Sequence, residues 1–165
     1  RRDHESVLEH AGMTIRFITS RNITHELVRH RLASYSQEST RFVAYADELT
    51  FIKPPWFDSG DEEARKRFMD ALQSASRSYF LMRKSHMRPE YARDVLPGCL
   101  KAEIVVTANF REWRHIFKLR TARDAHPQIR TLMRDALVDA KALIPVVFDD
   151  IQAEKEDVVP ERSRA

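Results

Sequence analysis

Cysteine is nearly absent. Cys99 stands alone among 165 residues, which excludes an internal disulfide framework and a cysteine-built zinc cluster and points to a reducing, cytoplasmic setting. Glycine is almost as scarce, with three residues, so the glycine-rich phosphate cradles of P-loop and dinucleotide-binding folds are excluded. Any phosphate must then be met by arginines and helix ends. No apolar run approaches the roughly 18 residues that span a bilayer, and no membrane partner is expected. The opening Arg1-Arg2-Asp3-His4 is neither a signal peptide nor an initiator Met, so the chain reads as a fragment whose own first segment is missing.

What is present suffices for one domain with a buried core, since 42% of the residues are hydrophobic. Basic residues number 28 against 25 acidic, a balance that suits anionic partners, phosphorylated small molecules and nucleic acid alike. Seven histidines are scattered without a His-Glu-x-x-His spacing, and no metal site is expected.

Met13, Ile15 and Phe17 alternate along a half-buried strand. Asn22 is placed to cap a short helix holding Ile23, Leu27 and Val28. The serine-rich stretch from Leu32 to Tyr45 has no sustained period and reads as a structured loop. Residues 49–52 form a short strand stopped by Pro54-Pro55. Ser59-x-x-Glu62 reads as a capping box, and Ala64, Phe68, Ala71, Leu72, Ala75, Tyr79 and Met82 then recur at helical spacing in what should be the longest helix. Pro89–Val95 is a short helix, and β-branched Ala102–Ala108 a buried strand.

Asn109, with Glu112 three residues on, caps a helix whose apolar face is Phe110, Trp113, Ile116 and Phe117. Ile129, Leu132, Met133, Ala136, Leu137, Ala140 and Leu143 mark another, entered through His126-Pro127. A last short helix covers Val146–Gln152, and the charged tail Glu154–Ala165 frays. The expected fold is α+β, a single domain over 1–165 with a small, mostly antiparallel sheet flanked by helices and one long central helix.

The informative segment is Glu26 to Phe42, where Arg29, Arg31, Arg41, His30, Glu26 and Glu38 lie among hydroxyls and Gln37 within seventeen residues. Leu32, Tyr35 and Phe42 should pin this cluster against the core, so that its arginines offer paired donors to a phosphate or a planar heterocycle. Arg29-His30-Arg31, seven residues and then Ser39, followed by Thr40-Arg41-Phe42, resembles the signature of the flavin-dependent thymidylate synthases. His4-Glu5-Ser6, Glu9-His10, Ala92 to Pro97, Asn109-Phe110-Arg111 and Leu119-Arg120 extend the resemblance over nearly the whole chain. What is missing is the family's N-terminal strand and helix.

The resemblance implies reductive methylation of deoxyuridine monophosphate (dUMP) to dTMP, with methylenetetrahydrofolate as carbon donor and NADPH-reduced FAD as reductant. It also implies a homotetramer whose sites are shared between subunits. By residue it implies FAD contacts from Ser6, Glu9, Arg29, His30, Arg31, Gln37, Asn109, Arg111 and His115. It implies dUMP contacts from Glu26, Arg29, Gln37, Glu38, Ser39, Thr40, Arg41, Arg93 and Arg120, the last also catalytic through an N3-ionised uracil. Arg111 and His115 independently lie one turn apart on the polar side of their helix. Arg120 ends its helix's apolar stripe, where a charge needs a partner, and a structural ion pair with Asp124 or Glu112 is the plainer alternative. Asn109 cannot easily cap and bind flavin with one side chain. Ser39 has no evident base, and Cys99 no adjacent His, so neither reads as a nucleophile. Two other classes compete: an RNA-binding module stacking bases on Tyr35 and Phe42, and a helical assembly domain whose arginines serve subunit contacts.

Overall fold

The computed structural model describes residues 4–45 and 48–153, so the tail from Glu154 lies outside the described residues. The fold is α+β, with a three-stranded antiparallel sheet in the order β1-β3-β2. The chain divides into two compact units, one of Thr14–Thr107 and one joining the segment through Met13 to the segment from Ala108 onward.

In the first unit, β1 (Gly12–Ser20) and β3 (Lys101–Asn109) pair with Thr14 Oγ1 2.9 Å from Thr107 Oγ1. Ala102, Ile104, Val106 and Ala108 are buried on one face of β3 while Thr107 is exposed. The β-branched run is therefore a one-sided strand rather than one buried on both faces. The other face carries charge, with Glu103 accepting from Arg16 at 2.6 Å and from Lys101 at 2.6 Å. These neighbours hold the exposed Glu103 carboxyl below its ordinary value.

Helix α1 (Arg21–Leu27) starts one residue before the expected cap, and Asn22 lies inside it. Its first amides are satisfied by chain rather than side chain: Arg21 N–H donates to Leu100 O and Asn22 N–H to Gly98 O, both at 3.0 Å. A Cβ on Gly98 would stand 2.0 Å from Asn22 Oδ1, so the Asn22 side chain would have to move aside for any larger residue. The expected loop from Leu32 contains β2 (Ala33–Gln37), whose Ala33, Tyr35 and Gln37 are half-buried while Ser34 and Ser36 are exposed. Pairing in the sheet overrides the weak strand preference of a small polar run. Residues 49–52 make only an isolated antiparallel bridge, Phe51 to Leu100.

Helix α2 (Glu62–Lys84), with 23 residues, is capped by Asp61, not Ser59: Asp61 Oδ1 accepts the Ala64 N–H at 2.9 Å, and Ser59 turns back to Trp56 O. An ionised cap at the positive end of the helix outcompetes the hydroxyl two residues earlier. Of its expected stripe only Leu72 and Tyr79 are fully buried, because the packing partners, α3 (Pro89–Ala92) and the 3-10 turn Arg93–Val95, are short. Leu49, Tyr79, Ala92 and Leu100 form a core cluster there.

In the second unit, α4 (Phe110–Arg120) packs on α5 (Pro127–Leu143) and on a 3-10 turn over Glu5–His10, while α6 (Pro145–Phe148) packs on α5. The last helix is thus shorter than the expected Val146–Gln152 and begins at its proline. Trp113, Ile116, Phe117, Ile129, Met133, Leu137, Ala140 and Phe148 are buried as their spacing requires, whereas Leu143 is exposed. Trp113 and Phe117 stack at 5.4 Å, and the Trp113 indole N–H donates to Met13 O at 2.8 Å. His126 Nδ1 accepts the Gln128 N–H at 3.2 Å, so His126-Pro127 does open α5. No helix among the described residues is long and apolar enough to cross a membrane.

Candidate functional site

Arg29-His30-Arg31 forms the turn by which α1 passes into β2, with Arg29 N–H bonded to Glu26 O and His30 N–H to Leu27 O. His30 is 5% exposed, while Arg29 and Arg31 are open to solvent. Of the three expected pins Tyr35 serves, its hydroxyl lying 2.7 Å from both Leu27 O and His30 O. The expected pins Leu32 and Phe42 are instead 77% and 79% exposed. The turn is fixed by a polar clasp from β2, so two apolar side chains beside it have no core to enter.

Gln37 Nε2 donates to Thr24 Oγ1 at 2.9 Å, tying the end of β2 to α1 near half-buried Glu26. Glu38 N–H then bonds Glu103 O at 3.0 Å, and Ser39 closes a turn through its carbonyl to Phe42 and Val43 and its Oγ to Arg41 N–H. Thr40 is buried and accepts from Arg93 Nη1 at 3.3 Å; Arg93 Nε donates to Glu90 O at 3.2 Å. The structure therefore brings Thr40 and Arg93, 53 residues apart, into contact. Arg41 lies over the Phe42 ring at 5.4 Å. Behind the turn, Tyr79 Oη accepts Tyr45 N–H at 3.2 Å. Burial, with Glu38 nearby, pushes the Tyr45 hydroxyl up to about 12.

In the other unit, Asn109 Oδ1 accepts the Glu112 N–H at 2.8 Å, so the oxygen of this side chain is committed to the cap. Arg111 and His115 are exposed one turn apart on α4, and Arg111 pairs with Glu9, which raises its already high pKa. Ser6 is exposed on the same turn as Glu9. Arg120 is half-buried at the end of α4, directly beyond buried Ile116 and Phe117.

Sequence reasoning missed Arg114. Its side chain is 9% exposed and bonded to Glu5 at 3.1 Å and to both oxygens of Asp150 at 2.6 Å, with Asp150 above all holding it charged. Nothing in the local pattern marks it, because its partners are 109 and 36 residues away. Cys99 is half-buried, and burial pushes its thiol up, away from the thiolate a nucleophile needs. Among the described residues no three His, Cys, Asp or Glu side chains are grouped to hold a metal ion.

Ordered turns that present arginine, hydroxyl and amide donors from a small α+β scaffold define a protein equipped to hold anionic ligands. The model of one family, thymidylate synthase complementing protein, matches residues 1–146, and the chain belongs to that family. It is 38% identical over 148 residues to the flavin-dependent thymidylate synthase of Geobacter sulfurreducens, covering 89% of this chain and 64% of that protein. The proteins of the same name from Mycobacterium tuberculosis and Corynebacterium diphtheriae are 36% and 35% identical, each over 90% of this chain and 65% of their own. The chain thus spans slightly less than two thirds of the length of these curated relatives.

Proposed function

We propose that this chain is the core of a flavin-dependent thymidylate synthase that converts dUMP to dTMP, with methylenetetrahydrofolate as carbon donor, FAD as cofactor and NADPH as its reductant. The observation that carries the reading is the motif turn itself: Arg29 and Arg31 stand open to solvent on a backbone clamped by Tyr35. The residue types suit FAD: one unit exposes Arg29 and Arg31, and the other exposes Arg111, His115 and Ser6, guanidinium, imidazole and hydroxyl groups of the kind that bind a diphosphate or a polar ring edge. His30, Gln37, Glu9 and the Asn109 amide nitrogen complete the flavin assignment. When bound, FAD supplies the reducing equivalents.

The chain's own residues bind and polarise the nucleotide. Arg41, Ser39 and Arg93 take the phosphate; Arg93 is aimed by its bonds to Glu90 O and Thr40, which leave its Nη2 donors unused by either. Glu26, Gln37, Glu38 and Thr40 line the sugar and base. Arg120 holds the uracil as its N3 anion, which enriches the ring carbon that accepts the new methyl group. No step draws on a thiol, in keeping with half-buried Cys99. The working form in this reading is a cytoplasmic homotetramer with α2 central to it, residues 1–165 forming one domain and the sites shared between subunits, without nucleic-acid or membrane partners.

The test is an absorbance spectrum of the full-length protein with and without added FAD, then titration with dUMP and a turnover assay. A flavin spectrum perturbed by dUMP is expected, and Arg120→Ala should abolish turnover with flavin absorbance retained. A folded protein that takes up no FAD overturns the reading.

A further inference from the structure

We infer that Arg114 is a positioning residue: through Glu5 it anchors the Glu5–His10 turn, and so Ser6 and Glu9, against α4 beside Arg111 and His115. The inference rests on the flavin reading above and goes beyond it, since neither Arg114, Glu5 nor Asp150 belongs to the ligand contacts assigned there.

The turn has little of its own to hold it. It is a six-residue 3-10 segment with no side-chain cap and no buried residue, too short to persist by local bonding. Its ties to α4 include two ion pairs of different character. Arg111 to Glu9 is exposed, with half of each side chain in water, the kind of pair that is worth little and is easily exchanged for another anion. Arg114 to Glu5 is the reverse: the guanidinium is buried and donates through Nε to Glu5, through Nη1 and Nη2 to Asp150, and through Nη1 to Val147 O. Four of its five N–H donors are thereby spoken for, and the Asp150 fork fixes its plane. The second Glu5 oxygen lies 3.8 Å from Arg111 Nε, and Lys118 Nζ 4.0 Å from the first.

When an anionic ligand draws Arg111 away from Glu9, Arg114 still holds Glu5 at 3.1 Å, with Lys118 farther off at 4.0 Å. The turn then stays in place while its exposed partner is used. Asp150, from the segment after α6, keeps Arg114 from turning toward other acceptors.

The test uses the full-length protein and Glu5→Gln, Arg114→Lys and the double variant. FAD affinity is read by flavin fluorescence, hydrogen exchange of amides 5–10 in the flavin-free protein, and dUMP affinity in parallel. Glu5→Gln should weaken FAD at least tenfold and speed exchange of the turn, with dUMP affinity within twofold of wild type. Arg114→Lys should match it, and the double variant should be no worse than either. If the wild type binds FAD and Glu5→Gln binds it within twofold with unchanged exchange, Arg114 is merely structural and the inference falls; Glu5→Gln decides this even where Arg114→Lys fails to fold. A wild type that binds no FAD overturns the flavin reading and this inference together.

Discussion

In the reading proposed above, Asn109 serves two roles, divided between the two ends of its side chain. Its Oδ1 caps α4 by accepting the Glu112 N–H at 2.8 Å, which leaves the amide nitrogen for the flavin contact proposed above. Asn109→Ala removes both ends. Loss of the cap costs about 1 kcal/mol, or roughly 3 °C in Tm for a chain of this size. Asn109→Asp keeps the capping oxygen and adds negative charge at the positive end of the helix, a gain of about 0.3–1 kcal/mol. For flavin the order of the two variants reverses. Both variants lose a donor worth about 0.5–1.5 kcal/mol, or roughly 2- to 12-fold in affinity, and Asp also sets a carboxylate beside an anionic ligand. Stability should therefore rank Asp at or above Asn, then Ala, and FAD affinity Asn, then Ala, then Asp. Urea melts and flavin titrations on the same three proteins provide the check. If Asp is as unstable as Ala, the cap argument fails; if FAD affinity follows the stability order, the amide nitrogen does not touch the flavin.

Glu103 is held below its ordinary value of 4.5 by Lys101 and Arg16, so its contribution is present above about pH 4.5 and is lost as pH falls through the lowered value; Glu103→Gln should be less stable at pH 7 and flatten the acid limb of a urea-midpoint profile, and an unchanged limb would refute the pairing. Tyr35→Phe removes the hydroxyl that lies 2.7 Å from Leu27 O and His30 O; a loss of about 1 kcal/mol with dUMP binding weakened several-fold is expected, while wild-type affinity would show that the clasp does not position the arginines. Gly12→Ala would bring a Cβ to 2.7 Å from Ala108 O where β1 meets β3; overpacking of this kind costs about 1–3 kcal/mol, visible as a lower urea midpoint, and an unshifted midpoint would show that the strands part without cost.

The sequence was legible wherever a rule is local. Period-2 alternation marked β1, and 3.6-residue spacing marked the buried faces of α4 and α5. The Asn109 cap and the His126-Pro127 entry also needed only neighbours within three residues. It misled where a local signal had a rival. Ser59 and Asp61 both suit a helix start, and the charged one won. Asn22 suits one too, but the carbonyls of Gly98 and Leu100 already served those amides.

By itself the sequence determined the fold class, the family and the motif turn, since each depends on residue type at fixed spacing along one chain. Tertiary structure alone decided the strand status of β2, the exposure of Leu32 and Phe42, the meeting of Thr40 with Arg93, and the burial of Arg114 between Glu5 and Asp150. The exposures record that no apolar partner arrived; the others are pairings across tens of residues, and the free energy of burying a charge or extending a strand depends on the partner that arrives, which no local pattern encodes.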